Sequence, residues 1–152
     1  MTYRLLAAVA LGLSCTSARP RPVPTAAEEV ISAPPSVVHA AAVRAVTDLG
    51  LQLRFTDAAA GIIETDYVDM TQFRPDAGQY PPAERLVRLR INVTAHEASP
   101  ASRLAVFAVY APFRTGLSDV RRGERAIPKD HPGMDLVRRI VEQVRKSAEG
   151  RS

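Results

Sequence analysis

Within residues 86–94 (LVRLRINVT), Val87, Leu89, Ile91 and Val93 alternate with Arg88, Arg90, Asn92 and Thr94. Successive side chains of a strand point to opposite faces, so a period of two sends the first set into a core and the second set outward. No other stretch of the chain reads so clearly as a half-buried strand. Residues 103–111 follow through a turn at Ser99-Pro100-Ala101-Ser102 and form its hairpin partner. Apolar residues on both faces of this second strand predict a central position or cover on both sides.

Residues 51–56 (LQLRFT) and 63–67 (IETDY) show the same period across a turn at 57–61, which predicts a second hairpin. Before it, Pro34-Pro35-Ser36 marks a helix start, with Ser36 as the capping residue. Val38, Ala42, Ala45, Val46 and Leu49 then share one helical face up to Gly50. Residues 28–33 (EEVISA) form a short edge strand ahead of that helix. A last helix over 132–146 places Leu136, Val137, Ile140, Val141 and Val144 at helical spacing, with Asp135 in its first turn and Arg145 and Lys146 in its last, as the helix dipole favours. The order β-α-β-β-β-β-α predicts an α+β domain: an antiparallel sheet of four to five strands with two helices on one face.

The composition fits one such domain. The chain has 152 residues, 46% of them hydrophobic and 24% charged, enough for a real core and for a single domain of ordinary size. Tryptophan is absent and aromatics make up 5%, so the core must be aliphatic. A formal charge of +4, with Arg4 inside a segment expected to be removed, leaves a mildly basic protein. That suits an anionic partner such as lipid headgroups and lacks the dense basic clusters of nucleic-acid binders, so no nucleic-acid partner is expected.

The N-terminus carries an address. Met1 to Arg4 supplies one positive charge, and residues 5–13 (LLAAVALGL) are an apolar run far shorter than the roughly 20 residues a spanning helix needs. This is the build of a signal peptide, expected over residues 1–14. Cys15, the only cysteine, follows directly and cannot form an intramolecular disulfide. The surrounding residues resemble a lipobox, the lipoprotein signal in which a cysteine after small residues receives diacylglycerol. Small Ser14 and nearby Leu11 match it, while Gly12 stands where Leu is usual and Leu13 where a small residue is usual. The resemblance implies Cys15 as the lipid attachment site of a palmitate-bearing lipoprotein. With Thr16 rather than Asp behind the cysteine, it also implies an outer-membrane location facing the periplasm. Cleavage after Thr16-Ser17-Ala18 would instead release a soluble periplasmic protein, and an uncleaved Cys15 would mean no export. Residues 15–27 form the lipidated cysteine and a tether in which Pro20, Pro22 and Pro24 disfavour helix; at about 3.1 Å per residue it spans on the order of 35 Å. Residues 28–148 form the folded domain.

A helix ending in Asp48-Leu49-Gly50-Leu51, a strand, a turn at 57–61 and then Gly61-Ile62-Ile63-Glu64-Thr65-Asp66-Tyr67 resembles the helix-grip domains of BamC (NlpB)-like outer-membrane lipoproteins, accessory parts of the β-barrel assembly machinery. The likeness covers residues 28–146. Those proteins carry two such domains and a long N-terminal stretch that grips a partner, whereas this chain has one domain and a short tether. The resemblance implies a helix-grip-like fold and a non-enzymatic, protein-binding role in a cell-envelope complex.

Residue by residue, no catalytic constellation stands out. Glu64 and Asp66 share a strand face and are expected to meet Arg88 and Arg90 across the hairpin in exposed ion pairs worth about 0.2–1 kcal/mol each. His39, His96 and His131 lack metal-ligand spacing, so neither a metal nor another cofactor is expected. There is no Gly-rich phosphate loop and no Gly-x-Ser-x-Gly turn. Asn92-Val93-Thr94 matches a glycosylation acceptor by chance. Two long connections are more informative: 70–84, with Phe73, Arg74 and Tyr80, and 112–131, with Phe113, Arg114, Arg121, Arg122, Arg125 and Lys129. Long loops tend to be functional, and aromatic and arginine side chains are enriched at interfaces, so these residues are expected to bind an envelope protein partner. Solvated loops with a spare positive charge are an equal alternative. A carrier of a small hydrophobic ligand, held between helix and sheet, is the competing function.

Overall fold

The structure, a computed structural model, describes residues 23–97, 100–110 and 123–150. Cys15, Phe113, Arg114, Arg121 and Arg122 lie outside the described residues, as do the signal segment and part of the tether.

Elements run β1 (Ala27–Ile31), α1 (Pro35–Asp48), β2 (Leu53–Asp57), β3 (Ile62–Thr65), β4 (Val68–Asp69), β5 (Leu86–Ala95), β6 (Ser102–Tyr110), β7 (Arg125–Ala126) and α2 (Gly133–Ala148). The main path of the sheet is β1-β6-β5-β3-β2, antiparallel throughout, with β4 paired to β5 and β7 to β6. The α+β class and the five principal strands match the sequence pattern. The two additional strands have two residues each, too short to show any period.

The β5–β6 hairpin organises the rest. Leu89 faces Ala108, Ile91 faces Val106 and Val93 faces Leu104. All six are buried, and α1 and α2 pack over them on the same side of the sheet. Each fully buried Leu, Ile or Val contributes about 1.5–3 kcal/mol. Helix α1 buries Val38, Ala42, Ala45 and Val46, and α2 buries Leu136, Val137, Ile140 and Val144, the faces their spacing announces. The apolar strand β6 lies inside the sheet with β1 on one side and β5 on the other, the central position its pattern predicts.

Local chemistry sets the ends of the elements. Ser36 does not cap α1: the N-cap is Pro34, and Pro35 occupies a first-turn position where a missing N–H costs nothing. At the other end Gly50, at φ 74°, donates to Thr47 O, and Leu51 donates to Val46 O, closing a Schellman motif. The edge strand β1 begins at Ala27, and Ala26 already donates to Val106 O, so the fold starts just before the expected boundary. Behind β1, the buried Ser102 hydroxyl donates to Ala33 O at 2.6 Å. Among the described residues no helix is long and apolar enough to cross a membrane.

The β2–β3 turn is held by Asp57, whose Oδ1 accepts from the Ala59 and Ala60 amides, and by Gly61 at φ 66°. A Cβ on Gly61 would fall 2.0 Å from Val93 O, the strand it packs against, whereas one on Gly50 would meet nothing within 4 Å. Both positions are in the left-handed region, but only Gly61 adds a backbone collision. Gly50→Ala is expected to cost about 1 kcal/mol and Gly61→Ala clearly more, about 3 kcal/mol, because β3 must also move off β5. Urea denaturation of the two variants checks the difference.

Candidate functional site

The polar side of β5 departs from the sequence reading. Arg90 Nε donates to Glu64 Oε1 at 2.8 Å as expected, although Glu64 is buried rather than exposed. Arg88 is not a surface residue: it is 2% exposed and pairs with Glu124, 36 residues away. Asp66 is exposed and lies beyond the end of β3. The reason is Thr65. Its hydroxyl accepts the Leu89 N–H at 3.0 Å and donates to Asp66 O, standing in for the next rung of the ladder and letting the chain leave β5. A bulge between Leu53 and Phe55 accompanies the departure on β2. When β4 rejoins β5 opposite Val87, the intervening Tyr67 covers Arg88, whose guanidinium carbon lies 5.2 Å from the ring centre.

The buried Arg88–Glu124 pair and the half-buried Tyr67 therefore form one group. Tyr67 Oη donates to Glu124 Oε1 at 2.7 Å, the oxygen that Arg88 also holds. Burial, the hydrogen bond to Glu124 and the Glu124 charge push the Tyr67 phenol up to about 12, with the Arg88 and Arg54 charges opposing. Arg88 was legible only as an outward arginine, and Glu124 and Tyr67 carried no signal as its partners. The group fastens the chain just before β7 to the sheet.

The first long connection is ordered. Asp69 accepts from the Thr71 backbone N–H and hydroxyl and pairs with Arg85 at 3.2 Å. Burial works to raise its carboxyl, but the Thr71 hydrogen bonds and the Arg85 guanidinium hold it below its usual value. Two 3₁₀ turns follow, Met70–Gln72 and Pro75–Gln79, anchored by fully buried Met70 and Ala77. Phe73 is half-buried against the core, and Arg74 pairs with both Asp76 and Asp135 of α2. The Tyr80 ring packs on His131, centroids 4.9 Å apart. These three candidate residues thus hold their own connection to the start of α2 while remaining partly exposed. Of the second connection, Arg125 is exposed on β7.

His131 is where the two connections meet. It is 3% exposed. Its Nδ1 accepts the Gly133 N–H at 3.0 Å, and its Nε2–H donates to Glu84 O at 3.1 Å, which fixes the neutral tautomer. A narrow cleft beside it is bounded by Phe73, Arg74, Pro132, Asp135 and Arg139. A second groove, of about 300 Å³, lies between α1 and the end of α2, bounded by Val37, Ala40, Ala41 and Arg44 with Ser36 and Ser147. Between helices and sheet, where a hydrophobic ligand would sit, the Val38, Ile91, Val106 and Ile140 side chains are fully buried in one cluster. Among the described residues no group of three or more His, Cys, Asp or Glu side chains is placed to hold a metal.

Removing one partner of the buried pair is expected to be costly: Glu124→Gln by about 3–5 kcal/mol, against less than about 1 kcal/mol for Lys146→Ala at the exposed Lys146–Glu142 pair. Chemical denaturation measures both. In the folded chain one of the four tyrosines should ionise near pH 12, and Tyr67→Phe should remove that step from an ultraviolet titration of the tyrosinate band. Because the folded phenol is raised, its contribution to stability is complete below about pH 10 and is lost as pH rises toward 12. No protein-family model matches the chain, and no curated protein does.

Proposed function

We propose that the chain is a lipid-anchored lipoprotein of the bacterial cell envelope whose single domain is a non-enzymatic, protein-binding accessory subunit, of the kind that serves outer-membrane barrel assembly. One observation carries the binding role. The first long connection, with its aromatic and arginine residues, meets the described end of the second at His131, where Tyr80 packs on the ring and Glu84 O takes the Nε2–H. Phe73, Arg74 and Tyr80 of the first connection stay half-exposed, and these are the residue types that anchor protein interfaces. The buried polar groups support the same reading. Arg88, Glu124, Tyr67 and His131 are each engaged with another part of the chain, so recognition falls to the surface. The address rests on Cys15 behind its short apolar run. The carrier reading gains no support, since the described groove lies on the helix layer rather than under it.

The test is affinity purification of the tagged full chain from detergent-solubilised envelopes, with mass spectrometry of partners and of the N-terminus. Labelled palmitate is expected on the protein and absent from Cys15→Ala. Replacing Arg74, Tyr80 and Arg125 with Ala should lower recovery of a specific partner at least about tenfold, the effect of losing roughly 1.4 kcal/mol of binding. Equal recovery with and without these side chains would refute the binding surface, and a Cys15→Ala protein that stays membrane-bound would refute the anchor.

A further inference from the structure

His131 sits at a junction that cannot accept a proton without breaking. Its Nδ1 is occupied as an acceptor by the Gly133 N–H, the first amide of α2, and its Nε2–H is spent on Glu84 O. A proton can enter only at Nδ1, where it would face the Gly133 N–H and the positive end of the helix dipole. Ile127 and Val87 fill the space around Gly133 and offer no alternative acceptor. The charged groups nearby do not compensate. Glu84 and Asp130 favour the charged imidazole, but burial outweighs them and holds the ring below its ordinary value. Arg85 is paired with Asp69, Asp135 is held by Arg74 and Arg138, and Tyr80 presents a ring tilted 58° to the imidazole.

We propose that His131 is an acid-operated latch: uptake of one proton on Nδ1 parts the N-terminus of α2 from the Tyr80–Glu84 segment and opens the cleft lined by Phe73 and Leu136. The latch is independent of where the protein resides and of what it binds. Neutral His131 contributes its stabilisation above about pH 6.5, the value of an unconstrained imidazole. That contribution is lost as pH falls from there through the lower folded value, and across that window the opening equilibrium rises about tenfold per pH unit.

Residue-resolved amide exchange of the full chain, corrected for intrinsic rates, tests this between pH 7 and pH 5. The amides of Tyr80, Glu84 and Arg85 and those of residues 133–136 in the wild-type protein should lose protection by about tenfold or more over the window, while the β5–β6 amides should not. In His131→Asn, whose Oδ1 can still accept from Gly133 but takes no proton, the loss should vanish. A wild-type protein with unchanged protection, or an Asn variant that loses as much, overturns the proposal. Should the variant not fold, wild-type nuclear magnetic resonance decides. The His131 ring and the Gly133 amide should titrate with one shared midpoint below 6.5, and separate midpoints, or a midpoint at or above 6.5, reject the latch.

Discussion

The pairing of β5 with β6, nine residues in continuous register, is the constraint from which the other elements take their places. Its inner face supplies the apolar floor on which both helices lie. Slipping the register by one residue would exchange Leu89 and Ile91 for Arg88 and Arg90 against that floor, so burial alone fixes the alignment. Neighbouring strands then attach by what the hairpin leaves open: β1 along β6, and β3 and β4 in succession along β5.

The opposite face shows how little freedom that register leaves to polar residues. Once Leu89 and Ile91 point inward, Arg88 must point outward, yet it is covered there by Tyr67 and by the chain returning before β7. A guanidinium placed under cover needs a carboxylate, and Glu124 fills that need with Tyr67 sharing the same oxygen. The distortion at Thr65 makes this possible, because a strand continuing in regular register would have paired residue 66 with Arg88 instead. A threonine hydroxyl that satisfies one buried amide thus decides where an arginine finds its partner, and through it how the chain returns to β7.

The sequence made plain whatever follows from period. The alternation of 87–94, the helical faces at Val38–Val46 and Leu136–Val144, and the Gly50 stop are all local patterns, and each corresponds to an element in the fold. It did not disclose what depends on contacts between distant segments. Arg88 with Glu124, Arg74 with Asp135, and Tyr80 with His131 join residues separated by 36, 61 and 51 positions, and nothing near any of these residues in the chain names its partner. The two-residue strands β4 and β7 were hidden for another reason: two residues have no period. The candidate interface was half legible. Composition marked Phe73, Arg74 and Tyr80 as notable, and geometry added that they also pack their own connection against α2.

The position of β1 at the edge of the sheet gives the domain a mechanical polarity. Any pull on the N-terminal segment enters the fold at Ala26 and Ala27 and loads first the five-residue ladder between β1 and β6, together with the packing of β1 on α2, where Arg145 Nη1 meets Glu29 Oε1 at 3.2 Å. A peeling front would travel from Val106 toward Ser102 and reach the Ser102 hydroxyl on Ala33, the bond that pins the connection into α1. Yielding there costs core burial as well as hydrogen bonds, because Ile31 at the end of β1 is fully buried among the core residues. A domain tugged by its N-terminus would feel the strain first at this edge strand and, through Ile31, in its core.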